Sequence, residues 1–133
     1  MYKVLIVDDE PVQTLLAREV VERAGYSPLV AHSGEEAMAL LRKDTGIAAM
    51  LLDLVMPDMD GMGVLEAMRR EAIAVPVIIT TGQSSLEAVL SAMRLGARDF
   101  LTKPIAPERM LISLQNALHL GELETALRTE RAR

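Results

Sequence analysis

The sequence predicts an α/β fold in which a parallel five-stranded sheet lies between two layers of helices. Short apolar runs alternate with longer amphipathic stretches, giving five strand-then-helix units along the 133 residues. The runs are apolar almost throughout, which is typical of strands that are covered on both faces. The amphipathic stretches are long enough to be crossover helices. Right-handed crossovers then produce a doubly wound, three-layer sandwich.

The first two units are predicted from helical spacing and from signals at the helix ends. Apolar residues of the first helix recur every three or four positions, and Gly25 ends it. Ser33 and Glu36 form a capping box, which opens the second helix. In order, these four elements are predicted at Lys3–Val7, Val12–Ala24, Ser27–Ala31 and residues 34–43.

The other three units follow from the same kinds of signal. Valine and isoleucine dominate the fourth strand, as is typical of buried strands. Ser84 and Glu87 form a second capping box, Gly96 ends the helix that it opens, and Pro107 opens the last helix. In order, these elements are predicted at Ala48–Leu52, Val64–Arg70, Val75–Thr80, residues 84–95, Asp99–Thr102 and from residue 107 onward.

The composition excludes several classes of function. The chain has no cysteine, which removes disulfides, thiolate metal sites and cysteine nucleophiles. With 14 basic and 19 acidic residues its net charge is −5, and it has only two tyrosines and one phenylalanine. We therefore expect no direct nucleic-acid binding, since neither a basic face nor a stacking platform is indicated. No apolar run or leader indicates a membrane span or signal peptide, so a cytoplasmic protein is expected.

Polar residues stand at the carboxyl ends of four predicted strands. Asp8 and Asp9 follow the first strand, Asp53 follows the third, Thr81 the fourth and Lys103 the fifth. In an open parallel sheet, ligands bind outside the carboxyl ends of the strands, near the point where the strand order reverses. We therefore expect these side chains to meet at one edge of the sheet.

A cluster of carboxylates at this edge requires a counter-charge. Two carboxylates about 4 Å apart repel by roughly 4 kcal/mol at an effective dielectric constant near 20. That repulsion is large beside a domain stability of about 5–15 kcal/mol. Oxygen ligands without sulfur favour a hard cation, and Mg²⁺ fits best because it needs few carboxylates and keeps positions for phosphate oxygens. Lys103 adds a second positive charge.

Each of these residues also has a purely structural explanation. Asp8, Asp9 and Glu10 stand where acidic residues cap a helix. Asp53 is a candidate turn residue, and Lys103 is a candidate solvated loop lysine. Their shared position at strand ends favours one common site over separate explanations.

The motifs at these strand ends resemble those of the receiver domains of bacterial two-component response regulators. The resemblance covers residues 1 to about 120 and implies a flavodoxin-like (βα)5 domain there, followed by a helical linker at residues 121–133. The segments that carry it are Val7–Glu10, Asp53–Pro57, Asp60–Gly61, Pro76–Gly82, Gly96–Ala97 and Phe100–Pro104.

The resemblance implies a role for each acid of the cluster. Asp53 would be the phosphoacceptor that attacks the phosphohistidine of a sensor histidine kinase or phosphotransfer protein, or a small phosphodonor. Asp9, Asp53 and the main-chain carbonyl of Val55 would bind Mg²⁺ directly, and Asp8 would bind it through water. Such a domain is not an enzyme in the usual sense, because it catalyses only its own phosphorylation and dephosphorylation.

The resemblance also implies a conformational switch. Thr81 and Lys103 would contact phosphoryl oxygens, and Phe100 would turn inward when Thr81 moves. The peptide between Lys103 and Pro104 is expected to be cis. A phosphoryl group adds about −1.5 to −2 charges, which would shift the population toward the rearranged state.

The last helix is expected to continue past Gly121. Leu120, Leu123 and Leu127 recur at three- and four-residue spacing among charged residues. This tail resembles that of receivers attached to ATPase-type transcription activators, which implies a homodimer through the last helices and an output domain absent from this chain. A frayed helix end in a stand-alone regulator is the alternative.

Three other functions fit parts of the pattern. A Mg²⁺-dependent phosphatase of the haloacid-dehalogenase type also uses a strand-end aspartate, but it needs a second acid where this chain has Val55. A nucleotide-binding domain needs a glycine-rich loop where this chain has Asp8–Pro11. A receiver-like docking module without phosphorylation stays open, although the full set of acids, threonine and lysine argues against it.

Overall fold

A computed structural model describes residues 1–56, 59–82 and 86–131, and for residues 125 and 128–131 it describes the backbone alone. The predicted alternation of strands and helices is confirmed there. The elements are β1 (Lys3–Val7), α1 (Pro11–Arg23), β2 (Ser27–Ala31), α2 (Gly34–Lys43), β3 (Ile47–Asp53), α3 (Gly61–Arg70), β4 (Val77–Thr81), α4 (Leu86–Arg94), β5 (Asp99–Thr102) and α5 (Pro107–Arg131).

All strand pairs of the sheet are parallel, and the strand order is β2-β1-β3-β4-β5. The order reverses at β1, because β2 pairs with one of its edges and β3 with the other. Val7 of β1 is in register with Leu52 of β3. The residues that follow them, Asp8 and Asp53, therefore lie side by side. The sheet thus places two acids at its own reversal point, where ligands of such sheets bind.

Both faces of the sheet are buried, as the apolar runs predict. Leu5 and Leu52 pack into one cluster with residues of α2 and α3. Ile6 and Leu51, which point to the other face, pack into a second cluster with residues of α1 and α5. Each fully buried aliphatic side chain of this kind contributes about 1.5–3 kcal/mol. The central strands therefore form a rigid support for the residues at their carboxyl ends.

The buried face of α1 differs from the one that its spacing suggests. The helix turns its small residues to the sheet, and its buried residues are Thr14, Ala17 and Val21. By contrast Val12, Leu15 and Leu16 are 65%, 67% and 54% exposed. Small side chains let α1 approach the sheet closely, and the leucines are left outside. The result is an apolar surface directly after the acidic residues, hereafter the α1 apolar surface.

Helix caps explain two of the element boundaries. Ser33 Oγ accepts a hydrogen bond from the Glu36 N–H at 3.1 Å, as the capping box predicts. Helix α3 begins earlier than predicted because Asp60 Oδ1 accepts a hydrogen bond from the Gly63 N–H at 3.0 Å. The second predicted capping box depends on Ser84, which lies outside the described residues.

Helix α5 runs without a break through Gly121 for 25 residues, as predicted. A Cβ atom built on Gly121 would lie 3.6 Å from Pro76 Cγ, so the helix passes close to the loop before β4. A domain boundary at residue 120 stays a prediction, because one continuous helix spans that position. Within the described ranges, none of the helices has the length and apolar character that crossing a bilayer requires.

Candidate functional site

The predicted site residues meet at the carboxyl edge of the sheet. Asp8 follows β1, Asp53 and Thr81 are the last residues of β3 and β4, and Lys103 follows β5. Asp8, Asp53 and Thr81 are 5%, 3% and 3% exposed. Two carboxylates are thus buried beside each other, which is unfavourable unless a positive charge lies close to both.

Lys103 supplies that charge. Its Nζ donates a hydrogen bond to Asp8 Oδ2 at 2.9 Å and lies 3.4 Å from Asp53 Oδ2. We call Asp8, Asp53 and Lys103 the triad. The lysine side chain is only 13% exposed, so water screens the charges of the triad weakly. The ammonium group marks the position between the two carboxylates as one that favours a cation.

Backbone N–H groups orient the second oxygen of each acid. Asp8 Oδ1 accepts a hydrogen bond from the Glu10 N–H at 3.0 Å, and Asp53 Oδ1 accepts one from the Val55 N–H at 3.2 Å. Asp53 therefore has two roles: its Oδ1 stabilises the turn after β3, and its Oδ2 faces Lys103. Glu10 stands at the N-cap position of α1, as the capping explanation predicts, but its carboxylate accepts no capping hydrogen bond there from the described residues.

The electrostatics of the triad favour a charged lysine and disfavour a charged Asp53. Burial raises the pKa of the Asp53 carboxyl, and the charge of Asp8 acts in the same direction, while Lys103 and the Val55 N–H offset part of the rise. Burial alone lowers the pKa of Lys103. Its hydrogen bond to Asp8 and the charges of both acids outweigh burial, so that its pKa is raised. An added cation would favour the ionised form of Asp53.

A second group of acids lies beside the triad at the surface. Carboxylate oxygens of Asp8, Asp9 and Glu10 all lie within 4.8 Å of one another, and Asp9 and Glu10 are exposed. These donors are all oxygen atoms, which is the ligand chemistry of Mg²⁺. Of the predicted acidic ligands, Asp8 and Asp9 belong to this group and Asp53 does not, while Glu10, which was not predicted, joins it. Its position directly after two aspartates was the signal for it.

The remaining predicted residues lie on β4, β5 and the loop after β3. The main-chain O of Thr81 accepts a hydrogen bond from the Lys103 N–H at 2.8 Å, which ties the end of β4 to the end of β5. The peptide between Lys103 and Pro104 is cis, as expected. Val55 lies in the exposed loop after β3, and Phe100 of β5 is 43% exposed. Thr81 and Lys103 lie at the carboxyl edge, whereas Phe100 is the second residue of β5; no sequence pattern indicated the α1 apolar surface.

Comparisons with known proteins agree with this geometry. A family model described as the response regulator receiver domain matches residues 4–115. The chain is 34% identical over 116 residues to the transcriptional regulatory protein TrcR of Mycobacterium tuberculosis, covering 87% of this chain and 45% of TrcR. It is 33% identical over 118 residues to the response regulator SaeR of Staphylococcus aureus, covering 89% of this chain and 51% of SaeR.

A solved structure gives the same result for the fold. The receiver domain protein from Clostridium thermocellum superposes with a TM-score of 0.87 at 28% identity, covering 92% of this chain and 98% of that one. The chain spans about half the length of the curated relatives that it matches.

Proposed function

Since the chain belongs to the response regulator receiver domain family, whose members are phosphoacceptor signalling domains, we propose that Asp53 is its phosphoacceptor. The observation that supports this assignment is the buried triad, in which one ammonium group lies beside both Asp8 and Asp53. Such a group stabilises the negative charge that gathers on a transferred phosphoryl group.

In the proposed reaction, a carboxylate oxygen of Asp53 attacks the phosphorus atom of a phosphohistidine or of a small phosphodonor. The new O–P bond forms as the N–P or O–P bond of the donor breaks; a histidine leaving group takes a proton from solvent, and the carboxylate of an acyl phosphate leaves as the anion. Lys103 turns from the carboxylates toward a phosphoryl oxygen. A Mg²⁺ ion held by Asp8, Asp9, Asp53 and the Val55 carbonyl, with Glu10 beside them, would neutralise further phosphoryl charge.

Thr81 and Phe100 are the proposed switch residues. Thr81 is buried at the end of β4 and is in register with Thr102 of β5. A hydroxyl drawn toward the phosphoryl group would leave space that the exposed ring of Phe100 can enter. The surface formed by α4, β5 and α5 would then change, and the phosphorylated form would favour that arrangement.

The α1 apolar surface is the proposed contact for the phosphodonor protein, either a sensor histidine kinase or a phosphotransfer protein. It begins two residues after Glu10, and Val12, Leu15 and Leu16 are more than half exposed on it. A helical partner that packs on these side chains would bring its phosphohistidine to the carboxyl edge of the sheet.

The tail of α5 supports a second partner, another copy of the chain. Leu120, Leu123 and Leu127 are exposed at the spacing of a coiled-coil seam. We propose a cytoplasmic homodimer through this helix, followed in a longer protein by an output domain that controls transcription. The receiver itself would not bind nucleic acid, because its net charge is −5.

The test is phosphorylation of the chain by acetyl phosphate with MgCl2, followed by intact-mass measurement. We expect one phosphoryl adduct that requires Mg²⁺ and that Asp53→Asn abolishes. Asp44→Asn is the matched control, because Asp44 pairs with Lys3 away from this edge, and it should keep the adduct. An adduct that survives Asp53→Asn would refute the assignment, and turnover of unrelated phosphate esters would favour a phosphatase instead.

A further inference from the structure

The two residues that precede Phe100 in the chain both bind α5. Asp99 Oδ2 accepts a hydrogen bond from Ser113 Oγ at 2.7 Å, and Arg109 Nη2 lies 3.3 Å from the same oxygen. The guanidinium group of Arg98 forms an ion pair with the carboxylate of Glu124. The start of β5 thus holds α5 at Ser113 and again at Glu124, roughly three helical turns apart.

These two attachment points differ in what surrounds them. Ser113 is buried in the domain, whereas Glu124 lies beyond Leu118, the last buried side chain that is described in α5. Past Leu118 the helix borders an open cleft of about 750 Å³ at the amino end of the sheet. The contacts that hold this part of α5 include the approach of Gly121 to Pro76 and the Arg98–Glu124 pair.

Arg98 connects β5 to its neighbours, because it directly precedes this strand and contacts both β4 and α5. Its N–H donates a hydrogen bond to Val77 O at 2.8 Å, which fixes its backbone to the start of β4. Asp99, the next residue in the chain, accepts a hydrogen bond from the Phe100 N–H through its Oδ1 at 2.8 Å. If the inward turn of the ring shifts the main chain of Phe100, the shift acts on Asp99 through this hydrogen bond and on Arg98 through one intervening residue.

We propose that Arg98 is a positioning residue, which sets the direction of α5 beyond Leu118 through Glu124 and makes that direction depend on the state of Phe100. The proposal rests on the proposed function, because the inward turn of Phe100 is part of it. The Arg98 and Glu124 side chains are 31% and 37% exposed, so their pairing changes the balance between two directions of the helix by about fivefold at most. That shift is useful only for a helix segment with few other contacts.

The experiment measures the distance across the cleft with spin labels. The chain has no cysteine, so Lys43→Cys and Glu122→Cys, both at exposed positions, can be labelled uniquely. Dilution with unlabelled protein removes distances between copies. We expect a narrow distance distribution that shifts when acetyl phosphate and MgCl2 form the adduct. In the Arg98→Ala background the distribution should be broad both with and without the adduct.

Two further variants separate positioning from a loss of structure. The exchange Arg98→Glu with Glu124→Arg should restore the narrow distribution and its shift, and Arg94→Ala, at an exposed arginine four residues away, should leave both unchanged. If the adduct forms on Asp53 and Arg98→Ala still shows the wild-type distribution and shift, the positioning role is wrong while the proposed function stands. If no adduct forms, the proposed function is wrong, and the dependence of the helix direction on Phe100 is wrong with it.

Discussion

Replacement of Lys103 by methionine removes the positive charge between two buried carboxylates and keeps a side chain of similar length. Asp8 and Asp53 contact the same nitrogen, so their facing oxygens are about 6 Å apart or less and repel by roughly 3 kcal/mol at an effective dielectric constant near 20. Removal of one partner from a buried ion pair costs about 3–5 kcal/mol. Because Lys103 keeps slight contact with water, we expect the lower value, about 3 kcal/mol.

The matched control is the same substitution in an exposed pair. Lys3 Nζ is also 2.9 Å from a carboxylate oxygen, that of Asp44, but these side chains are 45% and 26% exposed. Lys3→Met should therefore lower the free energy of unfolding by about 1 kcal/mol at most. Both lysines lie 2.9 Å from one carboxylate, but Lys103 is buried and also contacts Asp53, so the two variants compare a buried triad with an exposed pair.

The assay is urea unfolding followed by circular dichroism, first without metal and then with MgCl2. We expect Mg²⁺ to recover most of the stability lost in Lys103→Met, because a cation bound by the acids stabilises the folded state alone. Mg²⁺ should stabilise Lys3→Met only as much as it stabilises the wild type, because both keep Lys103 and the acids. If the two variants lose similar stability, or if Mg²⁺ leaves Lys103→Met unchanged, the electrostatic account of the triad is wrong.

Two other predictions follow from the same structure. Without metal, Asp53→Asn should raise the free energy of unfolding at pH 7, because burial raises the pKa of Asp53 and makes its ionised form unfavourable in the folded state. The gain should shrink as the pH falls toward 3.8, the ordinary pKa of this carboxyl, because the wild-type Asp53 then takes up its proton. Urea unfolding at both pH values measures the gain, and an equal gain at the two would contradict this sign. Gly34→Ala should cost about 1–3 kcal/mol, because its Cβ would lie 2.4 Å from Met59 O, and thermal unfolding measures the loss. Gly82→Ala, whose Cβ meets nothing within 4 Å, should be nearly neutral, and equal losses in the two variants would refute the steric argument.

The sequence was most informative where one residue type had one physical role. Apolar runs that end abruptly in Asp53 or Thr81 marked both the strands and the edge where their side chains meet, because a buried strand tolerates such groups only at its end. Parallel strands bring their carboxyl ends to one edge, so the shared edge followed from the strands, whereas the strand order and the register come from the structure.

Helix α1 shows where this reasoning stops. Apolar spacing predicts that a helix forms, but the choice of the face that is buried depends on how closely the helix can approach the sheet. Ala17 and Thr14 allow close approach, and Leu15 and Leu16 stay exposed. In the same way the pairing of Lys103 with two acids depends on tertiary distances, which no local pattern contains.

The position of Lys103 also bears on whether the domain needs a metal ion in order to fold. Because the lysine offsets part of the charge of Asp8 and Asp53, the carboxyl edge of the sheet carries a counter-charge of its own. We therefore expect the domain to fold without a metal ion. Under the proposed function, a shortage of Mg²⁺ would then stop phosphorylation of Asp53 and leave the fold in place.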